Sequence, residues 1–153
     1  MRLLPLLVLT AWCTALSCFD LRLRRLPNSL TLPGAVVALC YGSAIGRPAA
    51  AALGALLLAV PYLFVHLCAP AALGAGDVKL ALGLGAATAL GGAHAWVWAA
   101  LAAPAITALA GVGTLLAHAA RPQDSAGPEP PIGTVAHGPA MCAASVLALL
   151  ATP

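Results

Sequence analysis

From residue 80 to residue 120 the chain runs for 41 positions without an Asp, Glu, Lys or Arg. As one helix rising ~1.5 Å per residue, that stretch would be about 60 Å long, roughly twice the hydrocarbon core of a bilayer. It must therefore fold back on itself, and Gly91, Gly92 and His94 mark the turn. Four further uncharged runs cover residues 3–19, 29–46, 49–73 and 134–152, which gives six membrane segments. The composition agrees: 62% of residues are hydrophobic and 7% charged, against roughly a quarter charged in a soluble domain. The runs lack the apolar and polar alternation of a membrane barrel, so helices are the form that satisfies every backbone group within its own segment. The expected fold is all-α, a polytopic transmembrane bundle of about six helices, forming one membrane-embedded domain over residues 1–153.

The basic residues set a topology. Arg22, Arg24 and Arg25 follow the first segment, Lys79 follows the third and Arg121 follows the fifth, whereas Arg2 and Arg47 lie on the opposite side. The larger group marks the cytoplasmic face, with both termini outside. A net charge of +3, dispersed in this way, does not form a nucleic-acid surface. Arg2 and the apolar run behind it read as a retained first span, because no small-residue cleavage site follows. Residues 121–131, RPQDSAGPEPP, cannot continue a helix or bury a core, so 120–133 is expected to be a flexible cytoplasmic loop, with Asp124 and Glu129 as solvated loop charges.

Other polar or reactive residues carry no evident chemistry. Cys13, Cys18, Cys40, Cys68 and Cys142 include no CxxC pair and read as small hydrophobes. His66, His94, His118 and His137 lack second ligands at helical spacing, so neither a metal site nor a cofactor is expected. Trp12, Trp96 and Trp98 read as interfacial or packing aromatics. Glycine pairs such as Gly83 and Gly85, or Gly111 and Gly113, suit close helix packing in lipid.

The two remaining acids are the informative ones. Asp20 closes the first apolar run and Asp77 opens the fourth. An ionised carboxylate at bilayer centre costs about 2.5–3.5 kcal/mol on the insertion scale, so acids in such segments mark function more often than architecture. At the membrane border the cost is lower, and pairing of Asp20 with Arg22 or Arg24, and of Asp77 with Lys79, is the competing structural reading. Two crossings separate the two acids, so both emerge at the same face whatever the orientation, and two further crossings bring Gly138 and Pro139 there. In Gly74-Ala75-Gly76-Asp77 the two glycines remove side chains and would let an extended peptide backbone approach the acid.

The segments FDLRLRRLPNSLTLPG (residues 19–34) and GAGDVKLALGLG (residues 74–85) resemble the type IV prepilin peptidases, membrane aspartic peptidases of the GxGD type. In that family the first catalytic aspartate precedes a basic stretch and Pro-Asn, which falls here on Asp20 before Pro27 and Asn28. The second lies in GxGDxK, which falls on Gly74, Gly76, Asp77 and Lys79. Gly138 and Pro139 are similar to a Gly-Pro motif that opens the last helix, although His137 stands where an aromatic residue is expected and receives no role. GxGD alone is weak; D-x6-PN followed by GxGDVK on one face is strong. Larger family members carry an N-terminal region with paired cysteines that methylates the new N-terminus. Such pairs are missing here, so methyltransferase activity is not expected.

The resemblance implies hydrolysis of one peptide bond in a prepilin or prepilin-like substrate, at the cytoplasmic face of a bacterial plasma membrane. One ionised aspartate would take a proton from water while its protonated partner donates toward the carbonyl oxygen. Two carboxylates placed close together supply both states because they cannot both ionise cheaply, and their titration belongs to the pair. Lys79 and the arginines read mainly as topology and lipid-headgroup anchors, and Pro27 and Asn28 as the turn and helix entry of the second segment. Two alternatives stay open: another GxGD protease of the preflagellin or presenilin kind, and a non-enzymatic assembly or transport subunit.

Overall fold

A computed structural model describes residues 3–23, 26–70, 73–119 and 137–152. Among these the chain forms six α-helices and no strand: α1 (Leu3–Leu23), α2 (Asn28–Ala44), α3 (Pro48–Cys68), α4 (Ala75–Gly91), α5 (Ala93–Ala119) and α6 (His137–Ala151). The expected all-α bundle is the one observed. The helices alternate in length. α1, α3 and α5 are long and apolar enough to cross a membrane, whereas α2 and α4 have 17 residues each and α6 has 15. The expected loop 120–133 lies outside the described residues, as do Arg2, Arg24, Arg25 and Arg121.

The long uncharged run divides where its glycines stand. Gly92 carries φ 117°, a conformation that costs a side-chain-bearing residue dearly, and its N–H donates to the Ala89 carbonyl to close α4 before α5 begins one residue later. At the same end Arg47 donates from its guanidinium to the Leu90 carbonyl at 2.9 Å. A cation there complements both the unpaired carbonyls and the negative end of the α4 dipole.

α4 is the central helix, packed against α2, α3, α5 and α6, while α1 packs mainly on α6. Small residues permit this. A side chain on Gly54 of α3 would collide with the Gly85 backbone of α4, and one on Gly85 would collide with the Gly54 carbonyl. The two backbones thus touch directly, as expected for Gly85. Gly83 receives the Trp12 ring from α1 and the Ala35 backbone from α2. Gly111 and Gly113 differ from expectation: beyond the local backbone of α5, no atom of the described residues lies within 4 Å of where their Cβ atoms would be. In lipid, helices gain little from apolar burial alone, so close packing and hydrogen bonds hold them. Trp12 donates from its indole N–H to the Leu30 carbonyl at 3.0 Å, and Trp96 to the Gly54 carbonyl at 3.0 Å. These two tryptophans are packing residues, whereas Trp98 is exposed.

The largest fully buried apolar side chains are Leu16, Leu80, Leu84 and Met141, with Cys13 and Cys142 in the same cluster. The sequence reading of those two cysteines as small hydrophobes fits their burial. The large outward-facing apolar side chains, such as Leu53, Leu57 and Val60 on α3 and Leu101 and Leu109 on α5, match a surface that faces acyl chains.

Candidate active site

Asp20 does not follow the first helix but sits inside its last turn, because α1 continues to Leu23. It is 8% exposed. The C-terminal end of a helix is a poor place for a carboxylate, since the dipole and the unpaired carbonyls are negative there. The offsetting neighbour is α6, whose first-turn Gly138 lies against the Asp20 carboxylate at the positive end of that helix's dipole. Gly138 can approach because it has no side chain. A Cβ at this position would lie 2.7 Å from Asp20 Oδ2. Pro139 has no N–H to lose in the first turn of α6 and pre-sets its φ for the helix. The Gly-Pro pair thus delivers a helix N-terminus to Asp20.

Asp77 stands in the first turn of α4, where the dipole favours a carboxylate. Gly74 is the residue that caps this helix. The Asp77 N–H donates to the Gly74 carbonyl at 3.0 Å, and the Gly74 N–H donates back to Asp77 Oδ2 at 3.3 Å. Asp77 is half-buried. Asp20 and Asp77, 57 positions apart in the chain, lie at the same end of the bundle and close enough for the charge of one to act on the other.

Leu26 lies between the glycines of the two motifs. It sits 2.9 Å, through its Cβ, from where a Cβ on Gly76 would be, and its Cδ1 lies 3.6 Å from the corresponding point on Gly138. The sequence reading of Gly76 as an opening for substrate backbone is corrected here: the space its missing side chain leaves is filled by Leu26. Pro27 and Asn28 form the entry to α2 as expected. Pro27 is extended (φ −68°, ψ 131°), and its carbonyl accepts from the Leu30 and Thr31 N–H groups and from Thr31 Oγ1. Lys79 does more than mark topology, because its Nζ donates to Asn28 Oδ1 at 2.7 Å.

Sequence reasoning missed Leu26 and the polar chain behind the acids. Tyr62 of α3 brings its hydroxyl 3.0 Å from His137 Nε2, and His137 Nδ1 lies 2.6 Å from Thr107 Oγ1 of α5. The signal for Tyr62 was present: it is one of only two tyrosines, set in an otherwise apolar membrane run. Among the described residues there is no cluster of His, Cys, Asp or Glu able to hold a metal ion.

The family model described as the type IV leader peptidase family matches residues 7–118. No curated protein and no solved structure matched the chain.

Proposed function

Because the chain belongs to the type IV leader peptidase family, we propose that it is an aspartic endopeptidase that removes the leader of prepilin-like proteins, using Asp20 and Asp77. What supports this reading is the convergence of both motifs on Leu26, which packs against Gly76 next to Asp77 and lies near Gly138, itself close against Asp20. Burying an acid at the negative end of a helix costs stability, and such costs cluster at functional sites. The rival reading, in which Asp77 only neutralises Lys79, is disfavoured because the Lys79 ammonium is directed to Asn28.

In this mechanism the two carboxylates share one proton. The ionised member takes a proton from a water molecule between them, while the protonated member donates to the carbonyl oxygen of the scissile peptide. After attack, the proton accepted from water passes to the leaving nitrogen, the other carboxylate takes back a proton from the gem-diol hydroxyl as the C–N bond breaks, and the original state returns. The Gly74 N–H donates to Asp77 Oδ2 and Gly138 packs against Asp20 Oδ2, so both carboxylates are held in place as charge moves.

The substrate is a membrane helix preceded by a short basic leader, cut at the cytoplasmic border of a bacterial plasma membrane. Arg22 and Lys79 lie at the end of the bundle that carries the acids, as the positive-inside rule requires of a cytoplasmic end. Arg47 lies at the other end, but it is engaged with the α4 terminus, which weakens its vote on orientation. The surrounding bilayer is the remaining partner; the reading needs neither nucleic acid nor cofactor.

The test is co-expression with a prepilin and mass spectrometry of the prepilin N-terminus. The wild type is expected to remove the leader. Asp20→Asn and Asp77→Asn, inserted at normal levels, are expected to lose about 10²–10⁴-fold in rate, the span of general acid–base catalysis. Processing at the normal rate by either variant would overturn the dyad.

A further inference from the structure

The two aspartates account for the cleavage chemistry but not for how an extended peptide is held beside them. To be hydrolysed, a substrate helix must unwind locally, and in an apolar setting the freed N–H and C=O groups need partners. Polar side chains outside the two motifs are few at this end of the bundle, and three of them form one chain.

Tyr62 lies in the C-terminal half of α3 and is half-buried, and its partner His137 immediately precedes Gly138, which lies against Asp20. Its hydroxyl lies 3.0 Å from His137 Nε2 and its ring packs against the imidazole, centroids 5.4 Å apart at a 40° tilt. The other imidazole nitrogen lies 2.6 Å from Thr107 Oγ1, which in turn donates to the Ala103 carbonyl at 3.1 Å. Three helices therefore converge on one phenol. Proton counting fixes what the chain can present. When the Thr107 hydroxyl donates to Ala103, its oxygen accepts from His137 Nδ1–H, and Nε2 accepts from Tyr62, whose oxygen remains an acceptor. When Thr107 donates to Nδ1 instead, Nε2–H donates to Tyr62, whose own hydrogen becomes a donor. In either tautomer the phenol is held by the imidazole and keeps one hydrogen-bonding function for another partner. An ordinary packing tyrosine would need one partner, and neither a second helix nor a threonine behind that partner.

We propose that Tyr62, oriented by His137 and Thr107, anchors the extended backbone of the substrate beside the aspartates by a hydrogen bond to a peptide group. His137 and Thr107 are positioning residues that act through Tyr62. This inference rests on the peptidase reading above and extends it to substrate binding.

The experiment measures prepilin processing by the full-length enzyme in detergent or liposomes over a range of substrate concentrations. Tyr62→Phe keeps the ring and loses the hydroxyl. Because the anchor acts in the bound and transition states alike, KM is expected to rise about three- to tenfold with kcat unchanged. His137→Phe keeps the ring packing and removes both nitrogens, and it should give a similar rise. The double variant should be no worse than either single one. His137→Gln, which retains a donor and an acceptor, should recover part of the loss. Unfolding midpoints of the purified variants separate binding from folding. An unchanged KM in Tyr62→Phe overturns the proposal, and so does a loss confined to kcat or proportional to lost stability. If the wild type leaves prepilins uncut, the peptidase reading fails and takes this inference with it. If the wild type cuts and Tyr62→Phe cuts equally well, only the inference fails.

Discussion

Lys79 Nζ donates to Asn28 Oδ1 at 2.7 Å, joining the GxGDxK segment of α4 to the Pro-Asn entry of α2 across 51 positions of sequence. The bond ties the helix that carries Asp77 to the segment that follows Asp20. It lies at the exposed margin of the bundle, so water screens it and its contribution is that of an ordinary charged hydrogen bond reduced by solvent.

Lys79→Ala and Asn28→Ala are each expected to lower processing about two- to fivefold, and the double variant to be no worse than either alone. Leader-removal rates for the three variants check this. Fully additive losses would show that the two residues act separately.

Gly138→Ala and Gly76→Ala should fail in different ways. At Gly138 the obstructed atom is Asp20 Oδ2, the far end of a side chain that can swing away. Stability should therefore change little, while activity falls at least about tenfold as the carboxylate leaves its position. At Gly76 the obstructed atom is Leu26 Cβ, attached directly to the backbone. Both stability and activity should drop, the former by about 1–3 kcal/mol. Parallel thermal unfolding and processing assays separate the two cases.

Gly85→Ala or Gly54→Ala pushes two touching backbones apart and is expected to destabilise the bundle by about 1–3 kcal/mol. Gly111→Ala, with open space around its missing Cβ, should instead stabilise α5 by about 0.5–1 kcal/mol through helix propensity. Unfolding in mild detergent measures both. A large loss at Gly111 would reveal a partner surface on α5.

Much of this was legible in the sequence because lipid simplifies the code. Uncharged runs gave the helices, and the glycines at 91 and 92 gave the one break that charge could not mark. Parity placed Asp20, Asp77 and Gly138 at one end before any coordinates. What the sequence hid was contact at a distance. That α1 continues past Asp20 is invisible to a hydropathy reading, which ends the segment at the first charge. Leu26 looked like any leucine, and only the packing shows it filling the space above Gly76. His137 departed from the family pattern, and its partners Tyr62 and Thr107 lie 75 and 30 positions away, where no local periodicity could point.

The alternation of long and short helices bears on the lipid as well as the protein. At 17 residues α4 spans about 25 Å, less than the ~30 Å of hydrocarbon around it. The water that screens Lys79 and reaches Asp77 in the first turn therefore calls for a dip of the membrane or a wet recess at that end of the bundle. Cleavage should accordingly be fastest in bilayers of short acyl chains and slow as the chains lengthen, making membrane thickness a physical control on when a leader is cut.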